Sequence, residues 1–225
     1  MRLLIFWLWG GAGTAVAVFV GYFWLDRPVA IWLHQFRNSH SEILLGLGHV
    51  SDPMVSLAIV GFFLLAVMTF LKSPLSKAHA MGFLCSINIA FVEVVKDRLK
   101  FLFGRTWPET WVHNNPSFIR DGIYGFNFMH SGSMYQSFPS GHMATFCAVI
   151  TIFWIWYPRY RWVYTSLGLI AGTGLVALNY HFFSDVVAGA FVGIFISAAS
   201  VTIWKASARI IIDGEAGRGK GHGRK

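Results

Sequence analysis

Residues 185–204 read DVVAGAFVGIFISAASVTIW, an apolar run whose one charge, Asp185, stands at its leading end. About 20 predominantly apolar residues are enough for an α-helix to cross the hydrocarbon core of a bilayer. Working outward, 162–180, 142–157, 78–96, 54–71 and 3–25 are long or apolar enough to do the same. The run at 142–157 is short and begins inside the turn Ser140-Gly141-His142. The first run has an apolar core longer than that of a signal peptide, and the following Asp26-Arg27-Pro28 is no small-residue cleavage site. Composition agrees: of 225 residues, 55% are hydrophobic, 17% aromatic and only 12% charged, against about 25% charged in soluble domains. The expected fold is all-α: a polytopic membrane protein with six transmembrane helices.

The net charge of +8 is dispersed among loops and is no nucleic-acid footprint. In a six-span layout Arg2, Lys72, Lys77, Arg159, Arg161, Lys205, Arg209 and the basic C-terminus fall on one side. Cytoplasmic loops carry the excess of Lys and Arg, so that side is inside, with both termini. The opposite side holds 26–53, 97–141 and 181–184, and with them a basic cluster, Lys96, Arg98, Lys100 and Arg105. A cluster that runs against the charge rule is a functional candidate. The chain reads as one domain, 1–211, with a flexible basic tail at 212–225. Pro28–Phe36 is short and amphipathic and reads as an interfacial helix. Pro74 stops the second span, and Gly104 marks the exit of the third. The segment 105–137 is the longest polar piece. Its many aromatics predict an ordered outer cap between the third and fourth spans. Cys85 and Cys147 lie within spans as small hydrophobes, with no metal-binding spacing.

Chemistry concentrates in Ser137-Phe138-Pro139-Ser140-Gly141-His142 and in the pair His181 and Asp185. Each imidazole can exchange a proton or attack an electrophile near neutral pH. A Ser-Gly turn that opens a helix offers backbone N–H groups to an anion. The four-residue spacing from His181 to Asp185 sets the carboxylate one helical turn from the ring, close enough to orient it. Antiparallel spans bring Lys100 and Arg105, then Ser140, Gly141 and His142, then His181 and Asp185 to one membrane face.

On these residues the chain resembles the type 2 phosphatidic acid phosphatase family, which shares its site with the vanadium haloperoxidases. That family carries Lys-x6-Arg-Pro, Pro-Ser-Gly-His and Ser-Arg-x5-His-x3-Asp. The second motif is intact as Pro139-Ser140-Gly141-His142. The third keeps His181 and Asp185, but Gly174 and Leu175 replace its Ser-Arg. The first reads Lys100-x6-Trp107-Pro108, with Trp107 in place of Arg. Both family arginines are thus absent. Arg105 is the first choice to replace them, followed by Arg98, Arg120 and His130.

The resemblance implies a mechanism. His181 attacks phosphorus and becomes a phosphohistidine, Asp185 fixes its tautomer, and His142 protonates the leaving oxygen and then activates water. Ser140, Gly141, Lys100 and Arg105 hold the phosphoryl oxygens. No metal and no cofactor is implied. The expected substrate is a lipid phosphate at the outer face of a bacterial inner membrane: polyprenyl diphosphate, phosphatidylglycerol phosphate, phosphatidate or lipid A phosphate. Membrane lipids are the surrounding partners. The rival readings are a lipid phosphotransferase with the same phosphohistidine, a non-catalytic transporter or scaffold that retains the fold, and a vanadate-dependent peroxidase.

Overall fold

The computed structural model describes residues 2–35, 57, 60, 61, 63, 64, 67, 68, 77–111 and 114–221. Among them regular structure is helical, with isolated β-bridges alone besides. The helix expected at 54–71 falls largely outside the described residues.

The first helix, α1 (Arg2–Val20), runs through a π-helical turn, Gly21–Leu25, directly into α2 (Asp26–Gln35). The separate interfacial helix expected at 28–36 is therefore a continuation of the first. Pro28 has no N–H to return to the preceding turn, and the irregular π turn lies where that bond is missing. Gly21 opens the turn because space demands it: a Cβ there would stand 2.9 Å from the Cβ of Ser184.

Next comes α3 (Lys77–Phe103), two turns longer than the expected span. It ends where the sequence places its exit. The Gly104 N–H returns to the Lys100 carbonyl at 2.8 Å, and its φ of +53° is the left-handed cap that glycine tolerates. A side chain there would collide with the Asn127 carbonyl, 1.7 Å from an added Cβ. The long connection that follows carries a short helix, α4 (Phe118–Asp121), before α5 (Gly141–Trp156) begins. Then α6 (Arg161–Ala177) leads through Asn179, a second left-handed residue, to α7 (Phe183–Gly221). No proline interrupts α7, and its helical backbone extends over most of 212–225, where the sequence suggests a tail.

Among the described residues three helical stretches are long and apolar enough to cross a membrane: Trp7–Gln35, His79–Phe103 and Phe183–Ala206. The Gly141–Trp156 helix is apolar but shorter.

Two glycines set how close the site helices stand. Gly189 and Gly193 lie one turn apart on α7. An added Cβ would fall 2.3 Å from the Ser140 carbonyl oxygen at the first and 2.2 Å from that of Ala144 at the second. The backbones of α5 and α7 touch there, as small residues permit in apolar helix pairs. Around this contact Val92, Ala144, Ala148 and Ile196 form one buried cluster, and Met143, Cys147, Leu175 and Val186 another. The first joins α3, α5 and α7; the second adds α6. The start of α5 is thereby locked beside the start of α7.

Candidate active site

His181 ends the turn between α6 and α7. Its amide and that of Tyr180 both donate to the Leu175 carbonyl, at 3.2 and 3.0 Å, which fixes the backbone. The side chain is 1% exposed. Nδ1 lies 3.4 Å from the Ser137 hydroxyl and 3.7 Å from Asp185 Oδ2. The Ser137 hydroxyl in turn donates to the same Oδ2 at 2.6 Å. At 3.7 Å the carboxylate is too far for a direct hydrogen bond, so Ser137 bridges it to the ring. On the other edge, Nε2 is buried with no hydrogen-bond partner among the described residues. Burial pulls the imidazole below the usual histidine range, and Asp185 only partly opposes this. The ring is therefore neutral near pH 7, with Nε2 available to an electrophile.

Asp185 is fixed from several sides. Oδ2 also accepts the Phe182 amide at 3.0 Å, which closes the first turn of α7 in the manner of a capping box. Oδ1 accepts from Arg105 at 2.5 Å. Arg105 is fully buried, and its second nitrogen donates to Asp26 at 2.7 Å and to the Tyr124 hydroxyl at 3.0 Å. Asp26 also accepts the Ser184 amide at 3.0 Å and the Ser184 hydroxyl at 2.5 Å. Phe182, Phe126, Tyr22 and Tyr124 surround the guanidinium, the nearest ring centroid 4.3 Å away. Burial works against this charge, but Asp185 and Asp26 outweigh it and hold Arg105 above its ordinary value.

His142 is the second residue of α5 and half-buried. Its ring centroid is 5.8 Å from that of His181 and 5.0 Å from that of Tyr180. Ser140 caps the helix, accepting the Met143 amide at 3.3 Å. Two lysines of α3 lie over the next residue. A Cβ added at Gly141 would be 3.3 Å from Lys96 Nζ and 3.4 Å from Lys100 Nζ. Lys96 also pairs with Glu93 at 2.6 Å, and Glu93 accepts from the Thr145 hydroxyl at 3.0 Å. The start of α5 thus combines an imidazole, the positive end of a helix and two ammonium groups.

A sequence model of the PAP2 superfamily matches residues 80–209, more than half of the chain. The chain belongs to this superfamily. It is 26% identical over 197 residues to lipid A 1-phosphatase of Rhizobium johnstonii, covering 85% of this chain and 78% of that protein. It is 28% identical over 185 residues to lipid A 1-phosphatase of Rhizobium etli, covering 80% and 74%. Among solved structures it resembles a transmembrane PAP2-type phosphatidylglycerolphosphate phosphatase from Bacillus subtilis. The TM-score is 0.51 at 17% identity, over 91% of this chain and 95% of that one. The likeness to the solved structure concerns the fold alone.

Within the PAP2 pattern, the positions that lack arginine are filled by packing. Trp107 lies against the His181 ring, centroids 5.2 Å apart, and anchors its indole N–H on the Ser133 carbonyl at 2.8 Å. Leu175 sits in the core with Met143, Cys147 and Val186. Arg105, chosen as their replacement, faces two carboxylates. Its two terminal nitrogens are taken by them, by Ser184 and by Tyr124, among aromatic rings, while Nε is buried with no hydrogen-bond partner among the described residues. Arg98 is exposed. Arg120 is exposed and engaged with Asp121 at 2.9 Å and with Asn114. His130 is exposed beside Tyr135. None of these three is drawn to the histidines by a described contact.

Sequence reasoning gave no role to Asp26, and it named Ser137 and Lys96 only as members of the motif stretch and of the basic cluster. Asp26 carried one available signal, a carboxylate at the end of an apolar helix. Ser137 stood beside the motif, and Lys96 stood one turn before Lys100 on the same helical face.

Proposed function

We propose that this PAP2 enzyme hydrolyses a phosphate monoester on a lipid headgroup through a phosphohistidine at His181. The observation that carries the reading is the buried, unpartnered Nε2 of His181 facing a site shared with His142, while Ser137 and Asp185 hold its opposite edge. The Nε2 lone pair forms the bond to phosphorus, and the bond from phosphorus to the headgroup oxygen breaks. His142 gives that oxygen a proton. A water then attacks the phosphohistidine, His142 takes its proton, and inorganic phosphate leaves with Nε2 restored. Asp185 and Asp26 outnumber Arg105 in charge, so the cluster favours the positive charge that develops on His181 during attack. Lys100 and the first turn of α5 stabilise the phosphoryl oxygens.

Lipid A bearing a 1-phosphate is the favoured substrate, supported by the two rhizobial relatives. We assign the site to the outer face of a bacterial inner membrane, with both termini inside. Arg159 and Arg161 at the far end of α5, and Lys205 far along α7, support this orientation. Purified protein in detergent is expected to release inorganic phosphate from lipid A as the single lipid supplied, and His181→Ala to abolish release. Release that survives this substitution removes the covalent mechanism.

A further inference from the structure

We infer that Lys96, acting with Lys100, is the second cation that grips the phosphoryl group in place of the absent arginines. The inference rests on the phosphatase reading above. A phosphate monoester carries about 1.5 to 2 negative charges near neutral pH. One ammonium group and the roughly half charge of a helix N-terminus leave part of that unmatched. With Trp107 and Leu175 at the two motif positions, and Arg105 held between Asp26 and Asp185, the match must come from elsewhere.

Lys96 and Lys100 are one helical turn apart, a spacing at which like charges repel. Yet both ammonium groups converge on Gly141, 3.3 and 3.4 Å from where its Cβ would be. Gly141 opens α5, whose N-terminus already favours an anion. Three positive features meet beside His142. An independent sign of a ligand lies close by: the fully buried Nε2 of His181 has no partner among the described residues. Glu93 explains how the two ammonium groups tolerate the crowding. Its carboxylate takes one N–H of Lys96 at 2.6 Å and is steadied by Thr145. An ammonium has three donors, so Lys96 keeps two for phosphoryl oxygens while Glu93 stays in place. Gly141 is small for the same reason: any side chain there would occupy the space the ammonium groups use.

The test is Lys96→Met, assayed for phosphate release from a lipid phosphate and for inhibition by inorganic orthovanadate, a phosphoryl mimic. Loss of a charged hydrogen bond predicts that both kcat/KM and vanadate affinity fall about tenfold or more. Lys96→Arg is expected to recover most of both, and Lys205→Met, which removes an exposed cation elsewhere, to leave both at the parental level. Should Lys96→Met fail to fold with Glu93 unpaired, Glu93→Gln/Lys96→Met removes both partners and is read the same way. Parental vanadate affinity in a folded variant lacking Lys96 overturns the inference. His181→Ala separates the two readings. If it is inactive while Lys96→Met is inhibited like the parent, the lysine assignment alone is lost. If it remains active, the phosphatase mechanism falls.

Discussion

Two groups of charges flank the candidate nucleophile, and they are built in opposite ways. Around Arg105 the cation is fully enclosed, and carboxylates, a serine and a tyrosine take both terminal nitrogens. Around Gly141 two ammonium groups converge with one nearby carboxylate, at a helix end that itself favours anions. In the first arrangement both terminal nitrogens are already engaged; in the second the positive features outnumber the one carboxylate beside them. A cation near a histidine is therefore not by that fact a phosphate ligand. What decides its role is whether its hydrogen bonds are already made. We propose that Arg105 acts through Asp185 as a positioning residue; its contacts with Asp26 and Asp185 tie the start of α2 to the start of α7.

The sharpest way to break this contrast is Arg105→Ala. It leaves Asp26 and Asp185 buried without their cation, and breaking a buried pair costs about 3–5 kcal/mol. The variant is expected to show a much lower melting temperature in detergent and poor recovery of folded protein. Arg105→Ala/Asp26→Asn, with one fewer uncompensated charge, is expected to regain part of that loss. A variant that keeps its melting temperature and merely raises KM would return Arg105 to the role of phosphate ligand.

Ser137→Ala probes the link between the charge cluster and the nucleophile. It removes the hydroxyl that stands between Asp185 and His181 Nδ1. The expected result is a folded enzyme whose kcat falls about tenfold to a hundredfold, with KM nearly unchanged, because the lost interaction strengthens as charge develops on the ring. Equal loss in kcat/KM and melting temperature would make Ser137 a structural residue only.

The pattern of legibility follows from the same contrast. That His142, His181 and Asp185 come close together could be read from spacing because each is local to a turn where a helix begins. The six apolar runs were equally plain, since lipid leaves few other uses for them, and α3, α5, α6 and α7 stand where four of them lie. What stayed hidden depended on distance along the chain. Asp26 and Arg105 meet across 79 positions, and nothing in either neighbourhood signals the other. The π turn at Gly21–Leu25 that brings Asp26 to Ser184 leaves no mark beyond a glycine and a proline. Lys96 was visible as one of a basic cluster, but its direction depends on how closely α3 passes Gly141.

The pH dependence tests the electrostatics of the pair at finer grain. In the proposed mechanism the attacking form of His181 is neutral, and burial holds the ring below the ordinary histidine range. As pH falls, kcat/KM is therefore expected to hold through the ordinary value of about 6.5 and to decline only below it. Trp107→Ala opens the face of the ring to water and is expected to move this acid limb upward. Asp185→Asn removes a charge that favours the protonated ring and is expected to move what activity remains the other way. A limb at the ordinary value that ignores both substitutions would assign it to another group.

The smallest effect is expected from the second arginine of the same connection. Arg120 lies 15 positions after Arg105 and pairs with the adjacent Asp121 at 2.9 Å on an exposed surface. The Asp121 hydrogen bond raises the Arg120 value and lowers that of Asp121, but water surrounds both. Exposed pairs of this kind add little to stability because solvent screens them and two long side chains must be held still. Arg120→Ala is therefore expected to match the parent in melting temperature at both low and high salt, whereas Arg105→Ala does not. If Arg120→Ala instead weakens lipid turnover in a salt-dependent way with no change in melting temperature, the exposed arginine is a headgroup contact, and the division between enclosed and open cations extends to a third group on the surface of the connection.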